Sequence, residues 1–203
     1  MKRQNVGILD YKTFGNIGSV FNAIAKTSNN PVIVSSKSDL SKVGPLILPG
    51  VGSFSEVMNF LNQSDLYDAI EKKISSVPVM GICLGMQILS SSGSECGSAK
   101  GFGFFDGSVK KISSPGVLPH VGYAKLNITN QKLDIFKNID NDSFYFMHSY
   151  EVLTKENIIA TTEYLSHEFV SAVQKDNIVG VQFHPERSGL SGIQILKNFL
   201  NLS

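Results

Sequence analysis

The stretch from 78 to 87 most constrains the fold of this chain, because it turns an apolar strand directly into a helix. It reads PVMGICLGMQ: an apolar run, a cysteine between two glycines, and an apolar stretch compatible with a helix. This is the G-x-C-x-G form of the nucleophile elbow. The backbone at the apex of such a turn is strained, and Gly81 and Gly85 supply the small neighbours that it needs.

Cys83 stands at the apex of this predicted elbow. The geometry lifts the sulfur out of the sheet and points the first N–H groups of the helix at whatever the sulfur attacks, where they stabilise a developing oxyanion. The alternative is a buried core cysteine, since free cysteine usually behaves as a small hydrophobe. The two glycines count against this alternative, because a plain core strand is weakened by them. We therefore interpret Cys83 as a candidate nucleophile.

Length and composition predict one ordinary globular domain over residues 1–203. The chain has 42% hydrophobic and 17% charged residues, which is enough apolar material for a substantial core. A net charge of +1 gives no argument for a nucleic acid or an acidic membrane surface as partner. The two cysteines form no disulfide framework, so a reducing, cytoplasmic location is expected. No apolar run approaches the ~18 residues of a membrane span, and the one near the N-terminus is too short for a signal peptide.

Strands and helices alternate in the first half of the chain. Apolar spacing predicts strands at 5–9, 31–34, 46–48 and 78–82, and helices at 17–26, 55–61 and 66–74. This order is typical of a mostly parallel sheet covered by helices on both faces. The first half therefore predicts an α/β fold.

The pattern changes after Gly93. Serines and glycines dominate 90–103, and helical periodicity is largely absent beyond them until a final helix at 191–202. Short alternating runs predict strands at 107–112, 124–128, 143–147, 158–162, 169–174 and 178–183. We expect this β-rich half to be partly antiparallel and to extend the same sheet, since no linker separates it.

A second chemical candidate is the segment 181–186 (VQFHPE), in which an apolar strand ends at a histidine. Residues two apart in an extended chain share a face, so Glu186 can orient His184, and the imidazole can take a thiol proton. On its own, this segment is equally compatible with a surface turn that carries an incidental histidine. Together with an elbow cysteine it completes a triad. The other histidines have no clear metal-ligand spacing, so no metal is predicted.

A third candidate is the turn 49–52 (PGVG), directly after a predicted strand. Its glycines free backbone N–H groups to point at a ligand. Ligands of α/β sheets bind beyond the carboxyl ends of the strands, where the Cys83 turn would also lie. Neither a phosphate loop nor a dinucleotide fingerprint fits the spacing. A purely structural turn is the alternative.

Taken together, these stretches resemble the class I, triad-type glutamine amidotransferase family, and within it the glutaminase subunits of imidazole glycerol phosphate synthases. The resemblance covers almost the whole chain in family order. The matching segments are 10–11 (DY) with 15–16 (GN), 48–54 (LPGVGSF), 81–87 (GICLGMQ), 100–101 (KG), 118–122 (LPHVG), 145–150 (YFMHSY) and 180–188 (GVQFHPERS). It implies the class I amidotransferase fold, a central mostly parallel sheet flanked by helices with a β-rich C-terminal half.

The resemblance also implies roles for the candidate residues. Cys83 would be the nucleophile, His184 the general base and acid, and Glu186 the group that orients His184. The N–H of Leu84 and the backbone of Gly52 would form the oxyanion hole, which we expect not to be preformed without a partner.

L-glutamine would be the substrate. Gln87 and Glu95 would hold its head group, and Ser149 and Tyr150 would present backbone groups to it. The thiolate attacks the side-chain amide, ammonia leaves, and water cleaves the thioester, with no cofactor implied.

The family passes this ammonia to a cyclase subunit with a (β/α)8 barrel, its partner in a heterodimer. The acceptor there would be a phosphoribulosyl-formimino aminoimidazole carboxamide nucleotide. The products would be imidazole glycerol phosphate and an aminoimidazole carboxamide ribonucleotide (AICAR), on the route to histidine.

Two departures from the family pattern bear on the partner. The loop 11–15 looks one residue longer than usual, and Tyr123-Ala124 stands where the family shows Trp-Asn. Both places face the synthase in the family. A second hypothesis is therefore a paralogous subunit that supplies ammonia to amidinate a surface-polysaccharide sugar.

Two further hypotheses belong to other classes of protein. A free-standing cysteine hydrolase of γ-glutamyl compounds would need no partner, but the turn at 49–52 and Gln87 favour the amidotransferase. A non-catalytic binding subunit would need none of the intact residues Cys83, His184 and Glu186.

Overall fold

The computed structural model describes residues 3–12, 16–113, 116–129, 133–139 and 143–202. Along the chain, the strands are β1 (Asn5–Leu9), β2 (Asn30–Val34), β3 (Leu46–Leu48), β4 (Val79–Ile82), β5 (Ser90–Gly93), β6 (Ala99–Lys100), β7 (Phe105–Lys111), β8 (His120–Lys125), β9 (Asn127–Ile128), β10 (Ser143–His148), β11 (Tyr150–Leu153), β12 (Ile158–Tyr164), β13 (His167–Lys175) and β14 (Ile178–Val181). The helices are α1 (Ile17–Ala25), α2 (Lys37–Leu40), α3 (Phe54–Gln63), α4 (Tyr67–Ile74), α5 (Leu84–Ile88) and α6 (Gly189–Leu200). Short 3-10 helices span Asp134–Phe136 and Pro185–Arg187.

The largest sheet within the described ranges has eight strands in the order β2-β1-β3-β4-β14-β13-β12-β9. The first five of these run parallel to their neighbours, and the last three pair antiparallel. The prediction that the β-rich second half extends the same sheet is confirmed, because β14 joins the parallel strands and β13, β12 and β9 continue from it. Val181 pairs with Ile82 across β14 and β4, which places the chain that leaves β14 beside Cys83.

Two apolar clusters sandwich the main sheet. Phe54 and Leu61 of α3 with Ile70 of α4 belong to one cluster, and Ile24 of α1 with Phe199 of α6 belongs to the other. The central strands β3 and β4 are buried along their whole length, as expected for parallel strands covered on both faces. The carboxyl ends of these strands are left for the turns that follow them.

The Ser/Gly-rich stretch at 90–103 contains strands that the sequence patterns did not predict. β5 and β6 join β7 and β11 in a four-stranded sheet, and β8 pairs with β10. Propensity does not reveal β5, because glycine is depleted in strands and serine is not among the residues enriched there. Tertiary packing explains the glycines. A Cβ atom on Gly93 would lie 2.6 Å from the ring of Phe54, and one on Gly101 would overlap the carbonyl oxygen of Ser90. The sequence also gave no signal for the short helix α2 or for β11.

No helix in the part of the chain that the structure describes is both long and apolar enough to cross a membrane.

Candidate active site

The turn at Cys83 has the geometry that the sequence predicts. β4 ends at Ile82, Cys83 adopts φ 51° and ψ −105°, and α5 begins at Leu84. A positive φ is uncommon for a residue other than glycine and marks a strained position. The Cys83 N–H donates to the Val181 carbonyl at 2.7 Å, and the Cys83 carbonyl accepts from the Gln87 N–H at 3.1 Å. The strained turn is therefore fixed by β14 on one side and by α5 on the other.

The glycines around the elbow are required by close backbone packing. A Cβ atom on Gly81 would lie 2.5 Å from the carbonyl group of Gly85, and one on Gly85 would overlap the carbonyl oxygen of Leu48. A Cβ atom on Gly50 would lie 2.6 Å from the Cβ atom of Leu84. The turn after β3 therefore lies directly against the first turn of α5, so Gly52 and Leu84 reach the same place.

We predict that Gly85→Ala lowers the free energy of unfolding by about 3 kcal/mol or more, because its methyl group would displace the Leu48 backbone. Gly18→Ala is the matched control. Gly18 lies in α1 and a Cβ atom there meets nothing within 4 Å, so this change should stabilise the protein by up to ~1 kcal/mol. Denaturant unfolding of both variants measures the difference, and equal stabilities would contradict the packing argument.

His184 and Glu186 form a fully buried pair. His184 Nδ1 lies 2.8 Å from Glu186 Oε1, and both side chains are 0% exposed. The carboxylate oxygen accepts, so Nδ1 carries the proton and Nε2 is left with its lone pair. Nε2 has no hydrogen-bond partner among the described residues. Burial lowers the pKa of His184, but the nearby Cys83 and Glu186 outweigh burial and raise this pKa well above its usual value. The raised pKa makes the imidazole a stronger base toward the Cys83 thiol.

Asn16 also contacts the pair, although the sequence analysis did not identify it as a site residue. Its Nδ2 donates to Glu186 Oε1, the same oxygen that accepts from His184. Asn16 directly precedes α1, and its backbone carbonyl accepts the first hydrogen bonds of that helix. The sequence pointed to this position only through the segment 15–16 that resembles the family, because a contact across 170 positions leaves no local pattern. The predicted extra residue in the loop lies at 11–15, of which 13–15 fall outside the described residues.

A pocket of about 200 Å³ opens at Cys83. Its lining includes every residue proposed above for the oxyanion hole and for glutamine binding. The lining residues are Val51, Gly52, Cys83, Leu84, Gln87, Glu95, Pro119, Met147, His148, Ser149 and Tyr150. His184 and Glu186 do not line it, and both side chains are fully buried. Segments that follow β3, β4, β5 and β10 therefore line one pocket together with Cys83.

Polar side chains in this pocket are held in place by the backbone around them. Gln87 is almost fully buried, and its Nε2 donates to the Tyr150 carbonyl at 3.1 Å. Glu95 Oε2 accepts from the N–H of Phe54 at 3.1 Å. Burial raises the pKa of the Glu95 carboxyl group, and the Phe54 hydrogen bond opposes this shift in part. The pocket therefore offers a fixed amide and a carboxylate to a ligand.

His148 is a further histidine in the pocket wall. Its Nδ1 lies 2.9 Å from the Tyr150 carbonyl, so this nitrogen is the donor. Burial lowers the pKa of His148 to about 3, against a small opposing effect of that hydrogen bond. His148 is therefore neutral at pH 7. Within the described ranges, no group of three or more His, Cys, Asp or Glu side chains is placed to hold a metal ion.

An aromatic cluster connects the buried histidine to the protein surface. Tyr123 is 63% exposed, and its hydroxyl donates to the Arg187 carbonyl at 2.8 Å. The Arg187 guanidinium lies 4.4 Å from the centre of the Tyr145 ring, and the Tyr145 carbonyl accepts from the His184 N–H at 2.8 Å. Tyr123 therefore lies at the exposed end of a chain of contacts that reaches His184.

A larger cavity, of about 810 Å³, lies between β7 and β11 on one side and β12 and β13 on the other. None of the predicted site residues lines it. Size alone therefore does not identify the candidate active site, whereas the convergence of reactive residues on Cys83 does.

Comparison with known proteins identifies the family of this chain. The glutamine amidotransferase class-I family matches residues 14–202. The chain is 46% identical to "Imidazole glycerol phosphate synthase subunit HisH 2" of Methanococcus maripaludis, over 96% of this chain and 98% of that protein. It is 36% identical to HisH 1 of the same organism, over 97% and 99% of the two chains.

The same fold occurs in solved structures. The structure of PurLQS from Thermotoga maritima covers 98% of this chain and 99% of its own, with a TM-score of 0.78 at 19% identity. The expected class I amidotransferase fold is confirmed. From its sequence and its fold, the chain belongs to the class-I glutamine amidotransferase family and is a glutamine amidotransferase.

Proposed function

We propose that this protein is the glutaminase subunit of an imidazole glycerol phosphate synthase. One observation carries the proposal: a cysteine on a strained elbow shares one pocket with Gln87 and Glu95, and a buried His184–Glu186 pair lies beside it. The names of the relatives supply the pathway. The protein hydrolyses L-glutamine to glutamate and ammonia, and it passes the ammonia to a cyclase subunit with a (β/α)8 barrel.

The first half of the reaction forms a thioester. His184 Nε2 takes the proton of the Cys83 thiol, and the thiolate attacks the side-chain amide carbon of glutamine. The carbonyl electron pair moves to oxygen, where the N–H of Leu84 and the backbone of Gly52 stabilise the negative charge. The tetrahedral intermediate then collapses, and His184 gives its proton to the amide nitrogen. Ammonia leaves, and the acyl group stays on Cys83.

The second half releases glutamate. His184 Nε2 takes a proton from a water molecule, and the resulting hydroxide attacks the thioester carbon. The carbon–sulfur bond breaks, and the proton on His184 returns to the sulfur of Cys83. Glu186 keeps Nδ1 protonated and the ring oriented through both halves, because it accepts from Nδ1 at 2.8 Å.

Glutamine is held by its amino-acid end. The Glu95 carboxylate suits the α-ammonium group, and the Gln87 amide offers a further polar group in the same pocket. Ser149 and Tyr150 offer backbone groups to the α-carboxylate. All four residues line the pocket with Cys83, which supports this assignment.

The ammonia is used by the partner and not released to water. In this proposal the chain acts as one domain over 1–203, in the cytoplasm, and its partner covers the face that carries Tyr123. The exposed Tyr123 contacts Arg187, and Arg187 stacks on Tyr145, which bonds the His184 backbone. Docking of the partner on Tyr123 would therefore change the environment of the catalytic histidine.

A second candidate function uses the same chemistry with another acceptor, an amidinated sugar of a surface polysaccharide. One observation favours it: Tyr123-Ala124 departs from the family pattern on the partner face.

The test is glutamate release from glutamine by the purified chain, alone and with a histidine-pathway cyclase barrel and its nucleotide ligand. We expect stimulation of about 10-fold or more with both added, because ligand and partner favour the active arrangement of the oxyanion hole. The control omits the nucleotide. Glutaminase activity that does not respond to the cyclase would favour the sugar-directed candidate, and no glutamate release under any condition would contradict both candidates.

A further inference from the structure

A buried glutamine lies against the sulfur of Cys83. Gln182 directly follows β14 and is 0% exposed, and its N–H donates to the Ser171 carbonyl at 2.9 Å. Its side-chain Nε2 lies 3.4 Å from Cys83 Sγ, within hydrogen-bond distance for sulfur. None of the roles proposed above uses this residue.

The orientation of this amide follows from a chain of hydrogen bonds that starts at a backbone carbonyl. The Tyr150 carbonyl can only accept, so the Gln87 atom 3.1 Å from it is the donor Nε2. The same Nε2 lies 3.3 Å from the side chain of Gln182, which must therefore present its oxygen to Gln87. The other end of the Gln182 amide is then the nitrogen, and its N–H points at the sulfur.

Local sequence alternation places Gln182 there. The chain is extended after β14, so residues two apart share a face. Gln182 and His184 both reach Cys83, whereas Phe183 points to the opposite face and packs 4.4 Å from the ring of Phe144 in the core. The amide and the imidazole thus approach one sulfur from the same segment.

An amide side chain is energetically unfavourable at a core position. Burying it without hydrogen bonds costs free energy, and an apolar side chain of the same length would fill the space without that cost. Here both ends of the amide are bonded, one to Gln87 and one to the sulfur. A hydrogen bond to a charged acceptor is about twice as strong as one between neutral groups, so the N–H gains most when the sulfur is a thiolate.

We propose that Gln182 is a further catalytic residue, whose Nε2–H donates to the sulfur of Cys83 and stabilises it as a thiolate. The proposal rests on the proposed glutaminase function for its role in turnover, but the hydrogen bond itself exists without substrate. The same amide is bonded to Gln87, so it also ties the position of the sulfur to a residue proposed to hold glutamine. Gln182 therefore positions the nucleophile relative to the substrate.

The test compares Gln182→Met and Gln182→Glu with the wild-type protein, all in a Cys96→Ser background so that only Cys83 is alkylated. Methionine keeps the length but loses both bonds, and glutamate keeps the acceptor for Gln87 but turns a second acceptor toward the sulfur. The control is Asn198→Leu, which removes another buried amide, one that bonds the carbonyls of Ile135 and Lys137. Thermal melts show which variants are folded.

Two readouts are expected to change. The pH midpoint for alkylation of Cys83 by iodoacetamide should rise by about one unit or more in both Gln182 variants, and further in Gln182→Glu. The kcat for glutamine should fall by about 10- to 100-fold, with a smaller change in KM. Asn198→Leu should lower thermal stability and leave the alkylation midpoint unchanged. Should neither Gln182 variant fold, Gln87→Met frees the oxygen end of the amide, and the midpoint should rise there too.

Alkylation and turnover separate the two claims. Wild-type protein without glutaminase activity, but with a midpoint that depends on Gln182, would contradict the proposed function and support the hydrogen bond. Folded Gln182 variants with a wild-type midpoint would contradict this inference whatever their stability, and an unchanged midpoint in Gln87→Met would do so where they do not fold.

Discussion

Replacing Cys83 by alanine should reduce glutamine hydrolysis at least about 10⁴-fold, because the change removes the atom that forms the thioester. The fold should survive. Cys83 contributes a small side chain at the strained position, and the bonds that fix the turn there run through its backbone to Val181 and Gln87. Glutamate release, measured with the partner present, gives the loss, and a thermal melt gives the stability.

The chain offers a matched control for this variant. Cys96 is exposed and also has a positive φ of 53°, but it does not line the pocket. Cys96→Ser should keep the wild-type rate. Substantial hydrolysis by the folded Cys83→Ala protein would show that another group is the nucleophile, and the proposed mechanism would then be wrong.

Changing Glu186 to glutamine should lower kcat by about 10²- to 10⁴-fold, with little change in KM. The amide keeps the shape, but it no longer requires a proton on Nδ1 of His184. Glu186 is one of the groups that raise the pKa of His184, so this pKa should fall in the variant. His184 would then be a weaker base, and the limb of the pH–rate profile that reports its ionisation should move to lower pH.

A second histidine–glutamate pair, only partly buried, provides the control for Glu186→Gln. His167 and Glu151 also lie 2.8 Å apart, and the Glu151 side chain is 5% exposed, but neither residue lines the pocket. Glu151→Gln should change stability and leave kcat near the wild-type value. Equal losses of kcat in the two variants would indicate a general effect of breaking a histidine–glutamate pair, and would contradict the assigned role of Glu186.

Local sequence patterns predicted the parts of this site that are built from short segments. The glycines on either side of Cys83 predicted the elbow. The structure shows why they are needed, because the backbone at Gly85 packs against Leu48 and leaves no room for a side chain. The alternation between His184 and Glu186 in an extended segment predicted that these two side chains share a face. Glu95, Ser149 and Tyr150 carry no such local signal, and only the family resemblance pointed to them.

Contacts between distant segments could not be predicted from the sequence. Asn16 reaches Glu186, and Gln182 reaches both Cys83 and Gln87, and these pairings depend on which strands are neighbours. The strand at 90–93 was missed for the same reason. Its residues have little intrinsic preference for a strand, and the close approach of Phe54 to Gly93 exists only in the folded protein.

The most direct test of the proposed function follows the nitrogen atom. The chain, the cyclase barrel and its nucleotide substrate are incubated with glutamine labelled with ¹⁵N in the side-chain amide, in an excess of unlabelled ammonium. We expect imidazole glycerol phosphate with ¹⁵N in its ring, because ammonia passes from Cys83 to the partner without mixing with the solvent. Product carrying unlabelled nitrogen, or no product despite glutamate release, would contradict the claim that this subunit delivers ammonia for imidazole glycerol phosphate formation.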